Sequence, residues 1–207
     1  MRHTQDPFHR GIALLLAASS AAWPVLAVAH IEAGSAGDGG FVSGLQHPIT
    51  GLDHVVAMVA VGLWGAQLGA PAIWVLPIAF PLIMALGGVL GVIGVPVPNV
   101  EIGIALSGVV LGLMVAFAVR PPLWLAMLLV AAFAIFHGHA HGSALPAFGV
   151  PILYASGFVI ATGLLHLCGI LIGATNRWQG GEALIRGGGV LIALTGAYFL
   201  YLQLELK

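Results

Sequence analysis

Charge is what this sequence has least of. Asp, Glu, Lys and Arg make up only 6% of its 207 residues, six basic against seven acidic, where a soluble domain carries about a quarter. That scarcity excludes an ordinary soluble globular domain. A net charge of -1 with no basic run removes nucleic acid as a partner. Cysteine occurs once, at Cys168, which excludes an intramolecular disulfide and any multi-cysteine metal site. Lysine stands only at Lys207, so the phosphate-cradling loop G-x-x-x-x-G-K-S/T is absent, and with it ATP hydrolysis by that route.

What fills the chain instead is apolar: 60% of residues are hydrophobic and the mean hydropathy is +1.08. An integral membrane protein follows, multi-pass and in contact with lipid. Nine histidines outnumber the basic and the acidic residues alike. The polar chemistry inside the membrane is therefore mainly imidazole, the commonest metal ligand.

In chain order, residues 1–29 read as a cleavable export signal. Arg2 and Arg10 form its basic region, Gly11 to Trp23 its apolar core, and Ala27-Val28-Ala29 its cleavage site. Cleavage there makes His30 the mature N-terminus, an amine and an imidazole on one residue. Ile31 to Phe41 is Gly-rich and polar, an exported lead-in carrying Glu32 and Asp38. Six apolar stretches follow, at about 44–68, 72–94, 100–119, 122–142, 150–173 and 183–204, each near the ~20 residues a helix needs to span hydrocarbon. Short Pro- and Gly-marked connections join them. The predicted fold is all-α, a six-helix polytopic membrane bundle over residues 30–207 with no second domain.

With an exported N-terminus, the loops near 70, 120 and 177 face the cytoplasm. Arg120, Arg177 and Arg186 then fall on that side, as the positive-inside rule asks. The mature N-terminus is then on the exported side of the membrane. A 3+3 inverted repeat is suggested by Glu101 and Gly108-Val109 against Glu182 and Gly189-Val190, and by Pro71 against Pro151.

The chemistry concentrates in two motifs. His47-Pro48-Ile49-Thr50-Gly51-Leu52-Asp53-His54 opens the first apolar stretch, where polar groups are costly unless partnered. On one continuous helix His47, Gly51, His54 and Met58 line a stripe, with Asp53 placed to be a ligand or to orient an imidazole. Pro48 suits a first turn. In Phe136-His137-Gly138-His139-Ala140-His141-Gly142, His137 and His141 share a face while His139 points elsewhere. The topology puts both motifs in the external half of the membrane, where they can form one site. His166, deep in the fifth stretch, is either a hydrogen-bonded packing residue or a further metal-handling group. Gln67 reads as a helix–helix hydrogen bond, Glu101 and Glu182 as helix-start acids, Arg186 as a snorkelling cation.

These two motifs, with Met58, Gly62 and Ala161-Thr162-Gly163-Leu164-Leu165-His166-Leu167-Cys168-Gly169, resemble the HupE/UreJ family of bacterial nickel permeases, across essentially the whole mature chain. The resemblance implies secondary import of Ni2+ for hydrogenase or urease maturation, in company with nickel-handling accessory proteins. The metal is then cargo, no prosthetic group is needed, and the protein is not an enzyme. It assigns His47, Asp53, His54, His137 and His141 to metal handling. One departure stands out: the family motif commonly continues H-G-x-E, and here Ala144 occupies the acid's place.

On the transport that this resemblance implies, capture at the outer face by His30, Glu32 and the His137, His139 and His141 group leads to transfer at His47, Asp53 and His54. Release passes His166. Two alternatives share the donor set: a Co2+ or Zn2+ permease of the same architecture, and a membrane-embedded zinc hydrolase, which lacks a separate acid or base.

Overall fold

The computed structural model describes residues 40–144 and 150–205. The signal segment, His30 and Glu32 lie outside the described residues. Among those described, every regular element is helical: α1 Phe41–Thr50, α2 Leu52–Leu68, α3 Ala72–Val92, α4 Val100–Ala116, α5 Leu123–Ser143, α6 Pro151–Gly173, a short 3-10 turn Ala174–Arg177, and α7 Gly181–Glu205. Helices α3, α5, α6 with its 3-10 extension, and α7 are each long and apolar enough to cross a membrane.

The first apolar stretch is not one helix. α1 and α2 meet at Gly51 with a bend of 85°, and together they pass as one broken span. Three local causes coincide there. Pro48, expected in a first turn, lies well inside α1 and has no N–H to give the ladder. Thr50 turns its hydroxyl back onto the His47 carbonyl at 3.0 Å. Gly51 is extended, at φ −88 and ψ 109, and its carbonyl begins α2 by accepting from the Val55 N–H at 2.9 Å. The single stripe of His47, Gly51, His54 and Met58 therefore does not exist. The lead-in is also shorter than its composition suggests, because α1 already begins at Phe41.

The third stretch is cut short too. α4 has 17 residues, and the chain turns at Ala118, whose φ is 49. Carbonyls at its end and just beyond it are taken by side chains from other helices: Gln67 Nε2–H donates to Val115 O at 3.1 Å, Arg186 Nε–H to Ala116 O at 2.9 Å, and Trp64 Nε1–H to Val119 O at 2.9 Å. Helix termini leave such carbonyls without ladder partners. The expected roles of Gln67 and Arg186 thus meet in one place, with Arg186 also 3.4 Å from Glu182.

Close glycine crossings set the positions of the histidines. A methyl at Gly138 of α5 would run into the Met84 carbonyl of α3, and one at Gly87 of α3 into the Ile135 carbonyl of α5. The same reciprocal contact joins α2 and α6, where Gly62 faces the His166 carbonyl and Gly169 the Val59 carbonyl. Where the solvent is lipid, backbones brought this near gain dispersion contacts that larger side chains would prevent. Met58, Trp64, Leu76, Phe80, Leu111 and Val130, all fully buried, fill the space between these crossings.

Candidate metal-handling site

The break at Gly51 decides the site. By turning α1 across the start of α2, it brings both histidines of the first motif onto the second. The His47 ring stands 4.7 Å, centroid to centroid, from His141, and the His54 ring lies 4.6 Å from His141 and 5.1 Å from His137. A straight helix would have left His47 and His54 about 10 Å apart along its axis. Glycine at 51 also leaves room for the pair, since a Cβ there would sit 3.0 Å from both Asp53 Oδ1 and His54 Nδ1.

The rings are oriented through one nitrogen. His54 Nδ1–H donates to Asp53 Oδ1 at 3.0 Å, and the same oxygen accepts the His54 backbone N–H at 3.0 Å. His137 Nδ1–H donates to the Phe133 carbonyl at 2.9 Å. His166 Nδ1–H donates to the Pro77 carbonyl at 3.1 Å. A carbonyl or carboxylate can only accept, so Nδ1 carries the proton in each ring and Nε2 keeps its lone pair. The Nε2 atoms of His54, His137, His141 and His166 are all buried without a hydrogen-bond partner. An imidazole that spends Nδ1–H on an acceptor and presents Nε2 is the form in which histidine binds metals.

The Pro77 carbonyl has a particular reason to need His166. Pro81, one turn on, has no N–H, so α3 leaves that partly buried carbonyl without a ladder partner. His166 therefore fills the packing role and still retains a bare Nε2. His139 belongs elsewhere: its Nε2–H donates to the Val95 carbonyl at 2.8 Å, and Ser143 Oγ lies 3.5 Å from its Nδ1. It is outside the ring cluster.

The arrangement as it stands is ring against ring. Among the described residues, no group of three or more His, Cys, Asp or Glu side chains is already disposed around a metal position. Turning the rings about their side-chain bonds is what would bring the Nε2 lone pairs together. Three aromatic residues that the motifs gave no reason to single out line the cluster. Phe158 packs on His141 at 4.3 Å, Tyr154 lies 5.9 Å from His47, and Phe80 lies 5.5 Å from His137. The sequence signal for Phe80 was its place between Pro77 and Pro81 in an otherwise unbroken apolar run.

A profile of the family described as HupE / UreJ protein matches residues 15–199 of this chain. The protein named Protein HupE from Rhizobium leguminosarum bv. viciae is 44% identical over 180 residues, covering 87% of this chain and 94% of that one. No solved structure matches.

Proposed function

Because the chain belongs to the HupE/UreJ family, a multi-pass membrane protein by its apolar helices, we propose that it is a secondary permease importing Ni2+ across the bacterial inner membrane for nickel-enzyme maturation. The observation that carries this reading is the set of buried, unpartnered Nε2 atoms on the adjoining rings of His54, His137 and His141. Burying such a nitrogen without a partner costs about 1–3 kcal/mol each, a cost that a passing cation offsets. Ni2+ is of borderline softness and suits imidazole. Neutral rings that must turn to chelate hold it weakly enough to let go, as transport requires.

In this reading His47 and His141 receive the ion, His54 and His137 pass it inward, and His166 is the last donor before release. Asp53 orients His54 and offsets the cation's charge. His30, exposed by cleavage after Ala29, and His139 lie on the outer approach. The membrane potential supplies about 2.3 kcal/mol per charge per 100 mV. The mature N-terminus is periplasmic, six membrane crossings include the bent α1–α2 pair and the short α4, and nickel-handling accessory proteins receive the ion inside.

An inverted 3+3 arrangement is supported by the glycine crossings. One sequence offset relates Met84 to His166 and Gly87 to Gly169, and a second relates Val59 to Ile135 and Gly62 to Gly138. Exchanging the halves thus turns the α3–α5 crossing into the α6–α2 crossing.

Uptake of labelled nickel into proteoliposomes tests the proposal. Flux in the native protein and its loss in His54→Ala are expected; equal flux in both would sink it. Co2+ and Zn2+ as competitors rank the cargo, which imidazole donors alone do not fix. A zinc hydrolase would need an acid or base besides Asp53, whose Oδ1 already orients His54.

A further inference from the structure

Phe80 stands where the histidine cluster ends. Its ring is fully buried, edge-on to His137 at 5.5 Å and 69° and edge-on to His166 at 5.4 Å and 84°. Among the described residues, the ring contacts that lead from His54, His137 and His141 to His166 run through Phe80. On one side of it lie three bare Nε2 atoms and on the other a fourth.

We propose that Phe80 is the gate of the ion path, a ring that separates the outer histidine cluster from His166 and must swing aside for each ion to pass. The assignment rests on the transport reading above. An apolar side chain packed across a narrow path excludes a hydrated ion by expelling its water. The backbone that carries this ring is built to yield. Pro77 and Pro81 bracket it, and each lacks the N–H that would bond the carbonyl four residues back, so the turn has lost two ladder bonds. One of the freed carbonyls, that of Pro77, is held from α6 by His166 Nδ1–H at 3.1 Å. The donor beyond the gate therefore also fastens the turn on which the gate is mounted. An ion that pulls on His166 Nε2 acts on Phe80 through this bond, which couples arrival on the far side to the position of the ring.

The test uses the full-length protein in liposomes loaded with a nickel-sensitive dye, with Ni2+ affinity measured separately in detergent by calorimetry. Phe80→Trp enlarges the plug and is expected to lower Ni2+ flux by about tenfold, the effect of a modest added barrier, with affinity unchanged. Phe80→Ala opens the path, raising flux several-fold and admitting Mg2+, which imidazole would not select. Phe80→Leu keeps an apolar plug of softer shape and gives an intermediate leak if the alanine variant fails to fold. Wild-type flux in the Trp and Leu variants, while His54→Ala stops transport, overturns the gate and leaves the transport reading standing. A Trp variant that loses affinity together with flux also overturns it, since Phe80 is then part of the binding scaffold. Absence of Ni2+ flux in the native protein removes the transport reading and the gate with it.

Discussion

Asp53 and His54 are neighbours in the chain and partners in space, for one carboxylate oxygen lies 3.0 Å from both the backbone nitrogen and the Nδ1 of the histidine. Consecutive residues on a continuous helix diverge by about 100°. Here they converge because they occupy the first turn of α2, just after the extended Gly51. The carboxylate fixes which nitrogen of His54 is bare. Replacing such an orienting partner typically lowers metal affinity by 10–100-fold. Asp53→Ala should therefore weaken Ni2+ binding by about that factor, with Asp53→Asn less affected because its amide oxygen still accepts. Calorimetry on the detergent-solubilised protein reads both.

Gly51→Ala tests the break itself. The added Cβ meets the Asp53 carboxylate and the His54 ring at 3.0 Å, so the pair must shift by a few tenths of an ångström and its hydrogen bond is disturbed. Uptake should fall toward that of Asp53→Ala, as measured with labelled nickel in proteoliposomes. A variant with native uptake would show that the pair need not hold this geometry.

His166 carries two duties that substitution can separate. His166→Ala strands the partly buried Pro77 carbonyl and should cost about 1 kcal/mol of stability, seen as a lower melting temperature, and should slow uptake. His166→Gln keeps a donor for that carbonyl and is expected to recover most of the stability without restoring uptake, since its amide nitrogen offers no lone pair to the metal.

Gly138→Ala probes the crossing that places His137 and His141. Its methyl would run into the Met84 backbone, and overpacking of this kind costs about 1–3 kcal/mol. Melting temperature and uptake should fall together. Trp64→Phe is the contrasting control at the other end of the bundle. It removes the donor to the Val119 carbonyl, lowers stability by about 1 kcal/mol, and leaves nickel flux per folded molecule unchanged.

The two histidine motifs and their convergence were legible because topology alone sorts the chain by side. The expected topology, an inward first span and an outward fourth, puts His47 and His141 in one leaflet, and their rings do meet at 4.7 Å. What could not be read was how they meet. The continuous stripe from His47 to Met58 failed because helix periodicity assumes an unbroken ladder. Pro48, Thr50 and Gly51, each tolerable alone, break it together. His139 was expected off the face that His137 and His141 share and His166 was open between packing and metal handling, but neither pattern says which carbonyl waits opposite. Phe80, Tyr154 and Phe158 carry no motif at all, and only packing shows that they bound the cluster.

The sequence by itself determined that this is a multi-pass helical membrane protein whose buried polar chemistry is imidazole, because apolar length and the rarity of charge are properties of composition and order. Tertiary structure decided which nitrogens are bare and which ring stands between them. Those depend on the 85° bend at Gly51 and on the Pro77 carbonyl that Pro81 leaves for His166, relationships between distant segments that no local pattern encodes.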